Sequence, residues 1–133
     1  MVRLPLTIAS SFLVALSASA QPLKSGEEVY KQVCFACHAE GVANAPKLGD
    51  RKKWAPLLKE GQVVPTAHGW VGVRGMPAKG GRDDLSLEEF ARAAAFMARA
   101  GGGMWQDPDA AMMKRIEAEV KRKIEADRKK AKK

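Results

Sequence analysis

Five consecutive residues, Cys34-Phe35-Ala36-Cys37-His38, hold both cysteines of the chain and one of its two histidines. Two thiols three positions apart share one side of a helical turn, where they can form thioethers with the two vinyl groups of one porphyrin. His38 then sits where its imidazole can ligate the iron. C-x-x-C-H is the attachment signature of a c-type haem. The rival chemistries fit less well. A thioredoxin-like redox pair wants a βαβ setting, and no such pattern surrounds Cys34. A structural zinc site wants four ligands at suitable spacings, and a plain Cys34–Cys37 disulfide leaves His38 without a role.

An iron held by His38 alone would be open to small molecules, whereas a second protein ligand would suit it to passing electrons. The candidates are His68 and the methionines at 76, 97, 104, 112 and 113. Met76 stands in Gly75-Met76-Pro77, in a glycine-rich loop where proline fixes the backbone and glycine allows close approach to a flat ring. Met97 falls on a helical apolar stripe and reads as a core residue. Met104 follows three glycines, and Met112 and Met113 belong to a charged tail. His68 precedes Met76 by eight residues and stays in competition, since it could give a bis-imidazole site. Thioether ligation would raise the reduction potential.

These groups must be positioned by helices joined by long loops. Ser25 with Glu28 forms a capping box that opens a helix leading into the cysteine motif, and Ser86 with Glu89 forms a second. The second helix carries Phe90, Ala94 and Met97 on one stripe and closes at Gly101-Gly102-Gly103. Arg51 to Glu60 reads as a short helix ended by Gly61, and Thr66 to Val73 as another. The stretches 41–50 and 75–84 read as loops. No segment alternates in the manner of a strand. The segment 21–103 is small and poor in aromatics, so a covalent porphyrin would supply much of its buried apolar surface.

Residues 1–20 read as a signal peptide: a basic start at Arg3, a mostly apolar stretch from Leu4 to Leu16, and Ala18-Ser19-Ala20 as the cleavage site before Gln21. Export to the periplasm follows, and no later segment is apolar enough to span a bilayer. The division expected is therefore 1–20 signal peptide, 21–103 monohaem domain and 104–133 basic helical extension.

Residues 25 to 100 resemble the class I cytochromes c, and within them the small bacterial cytochrome c5-like group. The resemblance runs through Cys34-x-x-Cys37-His38-x-x-Gly41, Ala45-Pro46-Lys47-Leu48-Gly49-Asp50, Trp54-Ala55-Pro56, Gly61, Gly72, Met76-Pro77, Gly80-Gly81 and the helix ending near Phe96-Met97. It implies an all-α cytochrome c fold, about three to five helices and long loops wrapped around one covalent haem c, with a charged C-terminal helical tail. It also implies His38 and Met76 as iron ligands, Cys34 and Cys37 as thioether anchors, the Pro46 carbonyl as acceptor for the His38 ring, and Trp54 beside the haem. The first and last helices of the domain would cross where Gly26 and Tyr30 meet Phe96. Two departures stand out. The relatives often carry an arginine where this chain has Leu57, and many carry a second cysteine pair where it has Arg82-Asp83-Asp84.

The formal charge of +8 falls by one once Arg3 leaves. Lys47, Lys52, Lys53, Arg74, Lys79 and Arg82 border the expected haem pocket and would steer acidic redox partners. In the tail, Asp107 and Pro108 could open a helix running to about Lys130, with Glu117–Lys121, Glu119–Lys123 and Glu125–Lys129 as i,i+4 pairs. Met113, Ile116, Val120 and Ile124 make a narrow apolar stripe. Such a tail would be a solvated helix or a docking helix for a partner subunit or an anionic membrane surface, with Trp105 pinning its start. Nucleic acid does not fit an exported chain. The expected function is a periplasmic monohaem one-electron carrier with no catalytic residue. The alternatives are a haem subunit of a larger oxidoreductase complex, or a peroxidase-like haem protein if Met76 does not bind.

Overall fold

The structure is a computed structural model that describes residues 21–133, so the signal peptide expected over 1–20 lies outside the described residues. The first helix, α1, begins as Gly26–Val29, passes through a π-turn at Tyr30–Cys34, and continues as Phe35–His38. Ser25 and Glu28 close the predicted capping box at its start. The π-turn inserts one residue into the helical repeat, the kind of local irregularity that gathers at functional sites. Four further helices follow: α2 (Arg51–Glu60), α3 (Val63–Val71), α4 (Leu87–Ala100) and α5 (Ala110–Ala131). Short 3₁₀ turns occupy Val42–Asn44 and Ala78–Gly81 in the two long loops. Among the described residues the only extended pairing is an isolated bridge between Val73 and Met76.

α1 and α4 cross at the predicted place, and the crossing depends on the smallness of Gly26. A Cβ built on Gly26 would stand 2.2 Å from the Arg92 carbonyl oxygen and 3.1 Å from Phe96 Cβ. Tyr30 meets Phe96 next to that crossing, with ring centroids 5.5 Å apart. Ser86 and Glu89 cap α4 as expected, and the buried face of α4 runs through Phe90, Ala93, Ala94 and Met97. With Val29, Trp54, Leu85 and Trp105, the residues Phe90, Ala93 and Met97 belong to the larger of two cores.

α3 starts three residues earlier than the sequence indicated, at Val63, and ends at Val71 with Gly72 as its cap. The tail differs more. The helix cap is Asp109, whose side chain accepts from the Met112 amide at 2.7 Å, rather than Asp107. Asp107 instead pairs with Arg99 at 3.2 Å.

The tail is not a free solvated helix. Ile116 (0% exposed) and Val120 are buried in a second core with Ala67 and Ala91, flanked by Val63, Trp70, Val71, Leu87, Met112 and Met113. The apolar stripe that might have met a membrane is therefore spent largely on α3 and α4, leaving Ile124 exposed. Of the three expected i,i+4 pairs in the tail, Glu125–Lys129 forms, at 3.6 Å. Glu119 turns to His68 and Arg122, and Lys123 pairs with Asp127.

Candidate functional site

The cysteine motif, the long loops and α4 enclose a cavity of about 780 Å³, within the ~300–1,000 Å³ range of sites for sizeable organic ligands. Cys34, Cys37 and His38 line it from the end of α1, and Met76 lines it from the separate 72–81 loop. Pro46, Trp54, Leu57, Phe90, Ala94 and Met97 complete much of its apolar surface. Sequence reasoning put the first two of these beside the cofactor. Phe90, Ala94 and Met97 were legible only as a helical stripe, whose spacing says which face is buried but not what it is buried against.

His38 is held by its surroundings. Its Nδ1 lies 2.8 Å from the Pro46 carbonyl oxygen, placed to donate its proton there. A ring anchored through one nitrogen presents the other as an acceptor, the arrangement a metal-ligating imidazole needs. The Pro46 carbonyl is itself positioned by the loop around it. The Leu48 amide donates to the His38 carbonyl at 2.9 Å, and Trp54 Nε1–H donates to the Lys47 carbonyl at 3.1 Å. One backbone bond, the His38 imidazole and the Trp54 indole thus tie loop 41–50 between α1 and α2.

The main chain at Met76 is pinned locally, and its side chain packs against the main core. The Val73 amide donates to the Met76 carbonyl at 3.1 Å, and the Met76 amide to the Val73 carbonyl at 2.9 Å. The loop presses on its neighbour, since a Cβ on Gly75 would come 2.9 Å from Ala43 Cβ. On the other side, a Cβ on Gly69 of α3 would meet Phe90 at 3.1 Å and the Met76 methyl at 3.7 Å.

Cys34 is buried, and that burial pushes its thiol up to about 11. A thioredoxin-like pair wants a βαβ setting, and the described residues form helices with no strand around Cys34. Among the described residues no group of three or more His, Cys, Asp or Glu side chains could hold a metal ion, which disposes of the zinc alternative there.

His68 also borders the cavity, but its Nε2 lies 3.3 Å from Glu119 Oε1 on α5. Glu119 is gripped a second time by Arg122, whose Nε donates to Oε2 at 2.7 Å. Arg122 first, and His68 after it, hold the Glu119 carboxyl below its ordinary value. Glu119 carried no signal in the sequence that tied it to the site, because its partner lies fifty-one positions away.

Trp105 does more than pin the tail. It packs edge-on against Trp54, with centroids 6.3 Å apart, and lines the cavity. Gly101 makes room for this, since a Cβ there would fall 2.4 Å from Trp54 Cγ. The expected cationic rim is partly committed elsewhere. Lys52, Lys53 and Arg74 border the cavity, whereas Lys79 lies 5.1 Å over the Trp70 ring and Arg82 forms a two-bond pair with Asp84.

The donor set fits a covalent haem: two thiols three residues apart, a pre-oriented imidazole, a thioether packed against the core and an apolar lining meet at one cavity. Comparison with known proteins agrees. Residues 21–97 match the family model described as cytochrome c oxidase, cbb3-type, subunit III. Cytochrome c-555 of Chlorobaculum tepidum is 35% identical over 94 residues, covering 68% of this chain and 87% of that protein. Cytochrome c5 of Azotobacter vinelandii is 38% identical over 69 residues, covering 50% and 83%. A solved chain from the crystal structure of an electron transfer complex of nitrite reductase with cytochrome c aligns with TM-score 0.55 and 42% identity, covering 57% of this chain and 93% of that one.

Proposed function

Because the chain belongs to the small class I c-type cytochromes, which carry covalently attached haem c, we propose that it is a monohaem one-electron carrier with Cys34 and Cys37 as thioether anchors and His38 and Met76 as the two axial ligands. The observation that carries this reading is the convergence, on one apolar cavity, of an imidazole oriented by Pro46 and a methionine carried on a hydrogen-bonded loop and packed against the core. When bound, the haem supplies a one-electron couple. The chain's part is to hold both ligands still in either oxidation state and to keep water from the iron, so that little reorganises when the charge changes. Thioether ligation and an apolar lining both disfavour the extra positive charge of the oxidised form and raise the potential. No residue is assigned a catalytic role.

We further propose export to the periplasm with cleavage after Ala20, which a measured mature mass beginning at Gln21 would check. The partners proposed are redox proteins whose docking surfaces are acidic, drawn by Lys52, Lys53 and Arg74 at the cavity mouth. Among the described residues no helix is long and apolar enough to cross a membrane.

The test is a denaturing haem stain together with the ferric spectrum. Covalent haem is expected, with the weak far-red band of sulfur-ligated iron, and that band should vanish in Met76→Ala. Rapid cyanide or carbon monoxide binding without a ligand-exchange step would instead point to the peroxidase-like alternative. A second reading, the haem subunit of a larger oxidoreductase, is favoured by the description of the matching family as an oxidase subunit. Stable co-purification of a catalytic subunit would favour it.

A further inference from the structure

The cavity is lined by more potential iron ligands than one iron needs: besides His38 and Met76 there are Met97, which is buried in the main core, and His68 on α3. α3 presents two faces. Val63, Ala67, Trp70 and Val71 pack on α5 and its core, while Pro65, His68 and Gly69 border the cavity. At about 100° per residue, His68 issues from the cavity-bordering stripe, one turn from Pro65. Its ring nonetheless reaches away to Glu119 on α5.

The anchor that holds it there is a firm one. Glu119 lies between Ile116 and Val120, both buried against α3 and α4, so its backbone cannot drift from α3 without opening that core. Arg122 holds the carboxylate from the solvent side.

We propose that the C-terminal helix selects the axial ligand: Glu119 draws the His68 imidazole to α5 and so leaves Met76 unopposed at the iron. The inference rests on Met76 being the sixth ligand. Glu119 acts here as a positioning residue, working through His68 and touching neither haem nor iron. It gives the extension, which lies beyond the family match at 21–97, a role inside the redox site.

The test uses the full-length holoprotein. In Glu119→Ala, the equilibrium between sulfur-ligated and bis-imidazole ferric haem shifts about tenfold or more toward His68, since the bond lost involves a charged acceptor. It is read as loss of the far-red sulfur band with growth of the bis-imidazole electron-spin-resonance signal during a mild urea titration. The reduction potential falls with it. Glu119→Gln, which keeps an acceptor oxygen, shifts the equilibrium less. Adding His68→Phe to Glu119→Ala restores the band and removes the bis-imidazole signal, which a purely structural loosening of α5 would not do. An unchanged band in Glu119→Ala, or a loss that persists with His68→Phe, overturns the proposal. A band missing before any substitution overturns the Met76 reading itself, and this one with it.

Discussion

Cys34, Cys37, His38 and Pro46 reach the cavity from one short stretch of chain, 34–46. The lining around Met76 draws instead on the 72–81 loop, on α3 through Gly69 and on α4 through Phe90. On the first side, geometry is set by neighbours: a helical turn spaces the thiols, and a loop eight residues on returns a carbonyl to the imidazole. On the second, it is set by packing between elements far apart in sequence. Local determinants would make attachment robust to changes elsewhere, while distributed ones would leave the proposed Met76 ligation and the potential open to adjustment from remote positions.

The contrast breaks most severely at the local side. His38→Ala, or Cys34→Ser together with Cys37→Ser, should abolish covalent haem incorporation. The check is a haem-stained denaturing gel of the expressed chain. On the distributed side, Met76→Ala should keep covalent haem yet lose the sulfur band and lower the potential, measured by redox titration. A variant that lost haem altogether would show the two sides to be one unit.

Packing substitutions come next. Ile116→Ala removes a fully buried side chain and should cost about 2–5 kcal/mol of unfolding free energy, read from denaturant melts of the holoprotein. Covalent haem content should be unaffected, because the attachment side does not contact that core. Gly26→Ala forces a Cβ to 2.2 Å from the Arg92 carbonyl and should cost roughly 1–3 kcal/mol by splaying α1 from α4. The smallest effect is expected from the exposed Arg82–Asp84 pair. The two hydrogen bonds from Arg82 hold the Asp84 carboxyl down from 3.8 to about 2. Because the folded value is the lower one, the pair's contribution is full above 3.8 and fades as pH falls toward about 2. Asp84→Asn should remove that acid-side dependence and leave neutral stability nearly unchanged, by melts across the same range.

The same division accounts for what could be read from the chain alone. The two capping boxes and the end of α2 at Gly61 were legible because each rests on residue types acting at short range, whereas the crossing of Gly26 and Tyr30 with Phe96, between residues far apart in the chain, was legible only through the family resemblance. The all-α architecture followed from them. α5 was misjudged. Its stripe of Ile116 and Val120 was visible, but periodicity does not say whether such a stripe meets solvent, a partner or its own domain. The expected Asp107 cap failed for a related reason: Arg99, eight residues earlier, takes that carboxylate first. Glu119 illustrates the limit most clearly, since only the docking of α5 on α3 turns a surface-type residue into a neighbour of the cavity.

The π-turn in α1 has a consequence of its own. Ahead of it the helix seats Gly26 against α4, and after it the helix delivers Cys37 and His38 to the cavity. Excising one residue between Tyr30 and Cys34 would let the coil relax to its regular pitch. Because the wider turn takes up about one residue more than an α-turn, that single deletion would leave the downstream half facing nearly as before, whereas an insertion or a second deletion would swing it by about 100° and carry the sulfurs off their target. Beyond that one removable residue, insertions and deletions there should be far less tolerable to the maturation of this molecule than most exchanges of side chains.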